Sequence, residues 1–109
     1  MKIDITYKNI THDESLKVFI EDRVGGLDKV IGNERSVTRV EVGKPSLHHR
    51  SGKVFYAEIN LKMGGKLLRA TCQHEDIHNA IVDAKNELQV QIKKIRDKKK
   101  DLNRKSDNI

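Results

Sequence analysis

Apolar and polar residues alternate at the start of the chain, with Ile3, Ile5 and Tyr7 on one side of an expected first strand. Thr11-His12-Asp13-Glu14 fits the S/T-x-x-E capping box, with Thr11 as the cap and Glu14 reaching back to it. Leu16, Phe19, Ile20, Leu27, Val30 and Ile31 then recur at helical spacing. Gly25-Gly26 interrupts them, each glycine costing about 1 kcal/mol against alanine inside a helix. The spacing predicts a first helix that weakens, kinks or ends there, with Gly32-Asn33 as the latest stop. Val40 and Val42, with Val37 before them, predict a second strand that ends by Gly43-Lys44-Pro45. A polar loop over residues 46–53 follows. Phe55, Ala57, Ile59 and Leu61 alternate with Tyr56, Glu58, Asn60 and Lys62, the clearest strand pattern in the chain. Gly64-Gly65 marks a hairpin, because glycine supplies the positive φ of tight turns. A fourth strand runs through Leu68, Ala70 and Cys72.

A last helix is expected from Glu75-Asp76, whose acidic side chains suit the positive end of its dipole. Its apolar stripe is Ile77, Ala80, Ile81, Ala84, Leu88, Ile92 and Ile95, at spacings of three and four. The order is β-α-β-β-β-α, an α+β fold with a four-stranded sheet. One domain is expected over residues 1–100, with residues 101–109 a polar, basic tail that is expected to be disordered.

Charge changes this picture at one place. The chain carries 22 basic and 16 acidic residues, a formal net charge of +6. Residues 85–105 hold nine basic and three acidic ones, so this segment accounts for the whole surplus. Stepping about 100° per residue puts His78, Lys85, Gln89, Lys93, Arg96 and Lys100 in one band beside the apolar stripe. Such a row matches a phosphate backbone and releases its counterions. A solvated, lysine-rich helix end is also favourable at the negative end of the dipole, so the row alone leaves both readings open.

Other chemistry is poorly represented. Cys72, His74 and His78, with His48 and His49, lack the paired spacing of a structural zinc site, and no metal is expected. Cys72 has no third orienting group or oxyanion loop near it in sequence, and Gly64-Gly65 lacks a nucleotide-binding pattern. An enzyme is not expected, nor a cofactor. A single cysteine forms no internal disulfide, which fits a reducing compartment. MKIDITYKN has no apolar core of a signal peptide, and no apolar run has membrane-span length. The expectation is a cytoplasmic protein that meets a polyanion and no membrane. His48, His49 and Arg50 stand in the polar loop as a candidate contact loop.

Several of these residues also carry a family resemblance. The run HHRSGKVFYAEINL at 48–61, GKLLRA at 65–70 and EDIHNAI at 75–81 resemble the ribosome hibernation promoting factor family. That family includes the ribosome-associated inhibitor and was once labelled a sigma-54 modulation protein. Residues 88–98 are similar to its basic L-x-x-Q-[IL]-x-K stretch, and the likeness covers about residues 1–100 in order. It implies a domain shaped like a double-stranded RNA-binding domain, with both helices on one face of the sheet. It further implies binding to the small ribosomal subunit and its rRNA, in the messenger and transfer-RNA channel of idle ribosomes.

Carried over by position, the RNA-contact candidates are Lys93, Lys94, Arg96 and Lys98, with Arg23 in the first helix. The sequence departs from the family at His78, Val82, Glu87 and Val90, where Tyr, Asp, Lys and Arg are usual. It departs also at Gly25-Gly26, where the family has a helical, often basic stretch. Lys85, Lys99 and Lys100 are the candidates that compensate, and Gln89 of the band beside the stripe is a further RNA-contact candidate. The chain resembles the short type, without the dimerisation domain of long members, and a monomer is expected. Ribosome pairing would then require a second hibernation factor as partner. The alternatives are a protein-binding regulator of the sigma-modulator kind and a general structured-RNA module. The latter is disfavoured by an aromatic content of 4%, with no ring pair for stacking bases.

Overall fold

The computed structural model describes residues 1–32, 35–46 and 54–107, with side chains to residue 99. The candidate loop residues His48, His49 and Arg50 lie outside the described residues, as does the side chain of Lys100. The chain runs β1 (Ile3–Lys8), α1 (Glu14–Gly25), a single turn α2 (Asp28–Ile31), β2 (Ser36–Gly43), β3 (Phe55–Met63), β4 (Lys66–His74) and α3 (Ile77–Asp107). This is the expected order with one turn of helix added.

The strands lie in the order β1-β2-β3-β4. β1 and β2 pair in parallel, with Ile5 beside Val40 and Tyr7 beside Val42. The other two pairings are antiparallel, with Val40 beside Ile59 and Ile59 beside Ala70. A parallel pair needs a crossover, and α1 with α2 supplies it. The β3–β4 connection is the expected glycine hairpin, with Gly64 at φ 60.

Alternation in the strands sends Val40, Val42, Ala57, Ile59, Leu61 and Ala70 to one face, where all are buried. Against it lie Leu16, Ile20 and Val24 of α1, Leu27 and Ile31 around α2, and the stripe of α3. Ala80, Ile81, Ala84, Leu88 and Ile92 of that stripe have no exposure at all. Each large aliphatic among them contributes about 1.5–3 kcal/mol by leaving water. The cap at the start of α3 is worth about 1 kcal/mol, so packing, not capping, seats this helix.

Two sequence expectations are corrected, and two details are added. Asp13, not Thr11, caps α1: its carboxylate accepts from the Ser15 N–H at 3.0 Å and from the Ser15 hydroxyl. Val37 lies in β2 as expected, and because side chains alternate it falls on the face opposite Val40. It is 52% exposed there, and Thr38 takes the core position with its hydroxyl buried and unpartnered among the described residues. The glycine pair ends α1, one of the outcomes the sequence predicts there, and the chain resumes as α2 with Leu27 fully buried. Finally, α3 continues to Asp107, so the end of the helix does not mark the boundary expected near residue 100.

Gly43 shows how tightly β1 and β2 approach. A Cβ built there would lie 1.8 Å from the Lys8 carbonyl oxygen, a backbone atom with no freedom to move aside. The Gly43→Ala variant should lose about 3 kcal/mol, the upper part of the usual overpacking range, as read by equilibrium urea unfolding. An unchanged midpoint would show that the parallel pairing tolerates a wider gap.

Candidate nucleic-acid interface

Seating the apolar stripe fixes the rotation of α3 and therefore the direction of every charge on it. One flank of the helix faces α1 and α2. His78 packs edge-on against Phe19 of α1, with ring centroids 4.6 Å apart and planes at 85°. The Arg23 guanidinium sits over the other end of this arrangement, 5.2 Å from the Phe19 centroid. A cation over a ring in so exposed a place contributes about 0.5–1 kcal/mol. Phe19 thus brings Arg23 of α1 and His78 of α3 onto one side of the molecule. Their sequence signal was the Phe19–Arg23 spacing of four, which places both on one helix face. The Phe19 ring itself shows in the sequence only as one apolar residue at helical spacing.

Further along the same flank, the Lys85 side chain passes about one van der Waals contact from Gly26, its Cε 4.0 Å from where a Cβ would stand. Arg96 donates through Nη1 to the carbonyl of Val30 in α2. That carbonyl is among those a helix end leaves without an internal partner, so Arg96 finishes α2 as well as carrying charge. Gln89 is half-buried and Lys93 exposed between them. Arg23, Lys85, Gln89, Lys93 and Arg96 therefore share one side.

Lys94 and Lys98 do not. At about 100° per residue they fall on the opposite flank, with Glu87 and Gln91. That flank meets β4: Gln91 donates to the Arg69 carbonyl at 3.0 Å, and the Cys72 thiol donates to Glu87 at 3.3 Å. Lys99 follows the line of the buried stripe, four residues beyond Ile95, and is exposed. Lys99 apart, the described candidates of α3 thus divide into two flanks, a division that their similarity in charge concealed.

At the start of α3, Asp76 accepts from the His78 N–H at 2.8 Å, and its Oδ1 is 3.2 Å from the ring Nδ1 of the same residue. The backbone N–H of His78 holds its carboxyl below the usual carboxylate range. His74 accepts from the Asp76 N–H at 3.1 Å. Cys72 faces Glu87 while His74 and His78 both engage Asp76, and among the described residues no cluster of three or more His, Cys, Asp or Glu is arranged to hold a metal ion. No helix among them is long and apolar enough to cross a membrane.

Comparison with known proteins places this geometry. Residues 3–100 match the model of the family described as sigma 54 modulation protein / S30EA ribosomal protein. Among solved structures, the chain is similar to the N-terminal domain of Protein Y from Thermus thermophilus. The two superpose with a TM-score of 0.74 at 23% identity, covering 87% of this chain and 99% of that one. It is also similar to a ribosomal subunit interface protein from Coxiella burnetii, with a TM-score of 0.73 at 14% identity, covering 88% and 98%. At these identities the likeness is one of fold. Among proteins with curated functions, none matches the sequence.

Two predictions come from the flanks. Arg96→Ala should lower stability by about 1 kcal/mol through loss of the Val30 contact, measured by thermal or urea unfolding, while Lys93→Ala should leave it unchanged. Equal effects would mean that Arg96 has no special seat. On the other flank, burial first and then the Glu87 carboxylate push the Cys72 thiol up to about 11. Since only the thiolate reacts, alkylation by iodoacetamide at pH 8 should run about a hundredfold slower than for a free cysteine, and Glu87→Gln should speed it. A rate equal to that of the unfolded protein would contradict the thiol–carboxylate bond.

Proposed function

The chain belongs to the sigma 54 modulation / S30EA ribosomal protein family, and from that premise we propose that it is a non-catalytic ribosome hibernation factor. It binds the small ribosomal subunit through rRNA, in the messenger and transfer-RNA channel, and keeps idle ribosomes in the cytoplasm from translating. The observation that carries this reading is the cationic flank where α3 meets α1 and α2. Arg23 and Lys93 form its exposed charge, Lys85 adds a half-buried cation, and Arg96 both contributes charge and holds α2 in place. Lys85 and Lys93 stand about 12 Å apart along the axis at 1.5 Å per residue, a span that follows successive phosphates of a folded RNA rather than a single ion. The sequence of α3 holds no Phe, Tyr or Trp to stack on bases, which supports recognition by shape and charge rather than base identity. Gln89 adds a neutral donor among the cations.

The division of charges gives the test. The double variant Lys85→Glu/Lys93→Glu should abolish co-sedimentation with small subunits on a sucrose gradient and inhibition of a cell-free translation extract. Lys94→Glu/Lys98→Glu, with the same change in charge on the opposite flank, should retain both. With about five phosphates neutralised, the logarithm of affinity should fall against the logarithm of salt with a slope of about −4. Full translation at saturating protein would overturn the proposal. A partner complex that survives nuclease and contains no ribosomal proteins would instead favour a protein-binding regulator.

A further inference from the structure

The helices cover one face of the sheet and leave the other bare, and one end of that bare face has a chemistry unlike the rest. Val37, Lys62 and Leu67 lie in register across β2, β3 and β4, and Arg39, Asn60 and Arg69 form the adjacent row. Together these six residues line an open depression. Val37 is 52% and Leu67 68% exposed, an unusual placement for two large aliphatic side chains so close together. Arg69 is held by Asn60, whose Oδ1 lies 2.6 Å from its Nε, and it approaches Glu58 at 3.9 Å. Arg39 and Lys62 have no side-chain partner among the described residues.

The depression is bounded. In the next row Glu58 accepts from Thr71 and Asn60, and Glu41 accepts from the Tyr56 hydroxyl at 2.8 Å. A nucleic-acid strand extending along the strands would run onto these carboxylates, and the depression has no ring for a base to stack on. A polypeptide meets neither obstacle. It can set carboxylates against Arg39 and Lys62 while its aliphatic side chains cover Val37 and Leu67. These last two are about 10 Å apart, two strand spacings, so an extended segment of three or four residues spans the patch. Opposite charge beside unburied aliphatic surface is the combination an acidic, amphipathic segment satisfies.

We infer that this end of the open sheet face is a docking site for an acidic protein segment bearing aliphatic residues. It is formed by Val37, Arg39, Lys62, Leu67 and Arg69. The site lies on the opposite side of the sheet from α1 and α3, so its occupancy is independent of the helical flank and of the function proposed for it.

The probe is a short synthetic peptide of glutamates with two leucines, titrated into the whole protein while the methyl signals of Val37 and Leu67 are followed by NMR. Saturable shifts of both methyls support the site. Arg39→Glu/Lys62→Glu should weaken binding by about tenfold, equivalent to about 1.4 kcal/mol. Val37→Ser/Leu67→Ser, which leaves the charge intact, should also weaken it. All four positions are exposed, so the variants keep the fold, which the remaining core methyl signals report. Absence of shifts at these methyls overturns the proposal. So does equal binding of an all-glutamate peptide, since that is ion exchange without an aliphatic contact. A uridine oligonucleotide that moves the same methyls at lower concentration than the peptide would assign the face to nucleic acid and overturn it as well.

Discussion

The contact on which the rest of this molecule depends is the burial of one stripe of α3 against β3 and β4. Ile81, Leu88 and Ile92 are sealed among Ile59, Leu61 and Ala70. The stripe covers only one side of a helix, so a rotation of α3 by even one residue would expose a large aliphatic and bury a charge, which is strongly unfavourable. Hydrophobic burial is non-directional in itself, yet here it imposes direction on the electrostatics. It decides that Lys85 and Lys93 look toward α1 and α2, and that Glu87 and Gln91 look toward β4. The charges have no comparable power over the helix, because exposed ion pairs are worth at most about 1 kcal/mol.

Much of the fold was legible because it rests on periodicity. The alternation from Phe55 to Lys62 and the spacing from Ile77 to Ile95 each answer to one bare geometric rule, and both elements formed where that rule put them. What was not legible depended on comparison between near-equals. Val37 and Thr38 compete for one core position, and strand parity from Val40 and Val42 chose the threonine over the more apolar residue. Thr11 and Asp13 both make good caps, and the carboxylate took the Ser15 N–H. The cationic candidates were alike in sequence and were separated by rotation alone. Arg96 could not be told from its neighbours until α2 offered it a carbonyl.

The molecule also divides its surface by side. Phe19, packed under Arg23 and against His78, ties the helical face into one unit across two elements distant in sequence. The sheet face uses a different device, a row of side-chain bonds from Tyr56 to Glu41 and from Thr71 and Asn60 to Glu58. Such rows hold carboxylates in fixed positions and set the sign of the neighbouring surface. The two sides can change independently, since among the described residues the cations of the helical flank, Arg23, Lys85, Lys93 and Arg96, are distinct from Arg39, Lys62 and Arg69 of the sheet face.

The length of α3 has a consequence of its own. At 31 residues it runs about 46 Å, whereas a nine-residue strand such as β4 spans about 30 Å. Among its described side chains, the last fully buried one is Ile92. The turns beyond the sheet therefore form an overhang, and the principal extents of 61 × 26 × 19 Å reflect it. Within the core, helix is maintained by packing. Past it, helix formation must stand against repulsion among the closely spaced Lys93, Lys94, Arg96 and Lys98, a helix–coil balance with little cooperative support from the core. The order of this overhang is thus governed by its ionic surroundings. A polyanion laid alongside would screen the repulsion and lengthen the rod, so that binding and helix propagation become one coupled equilibrium.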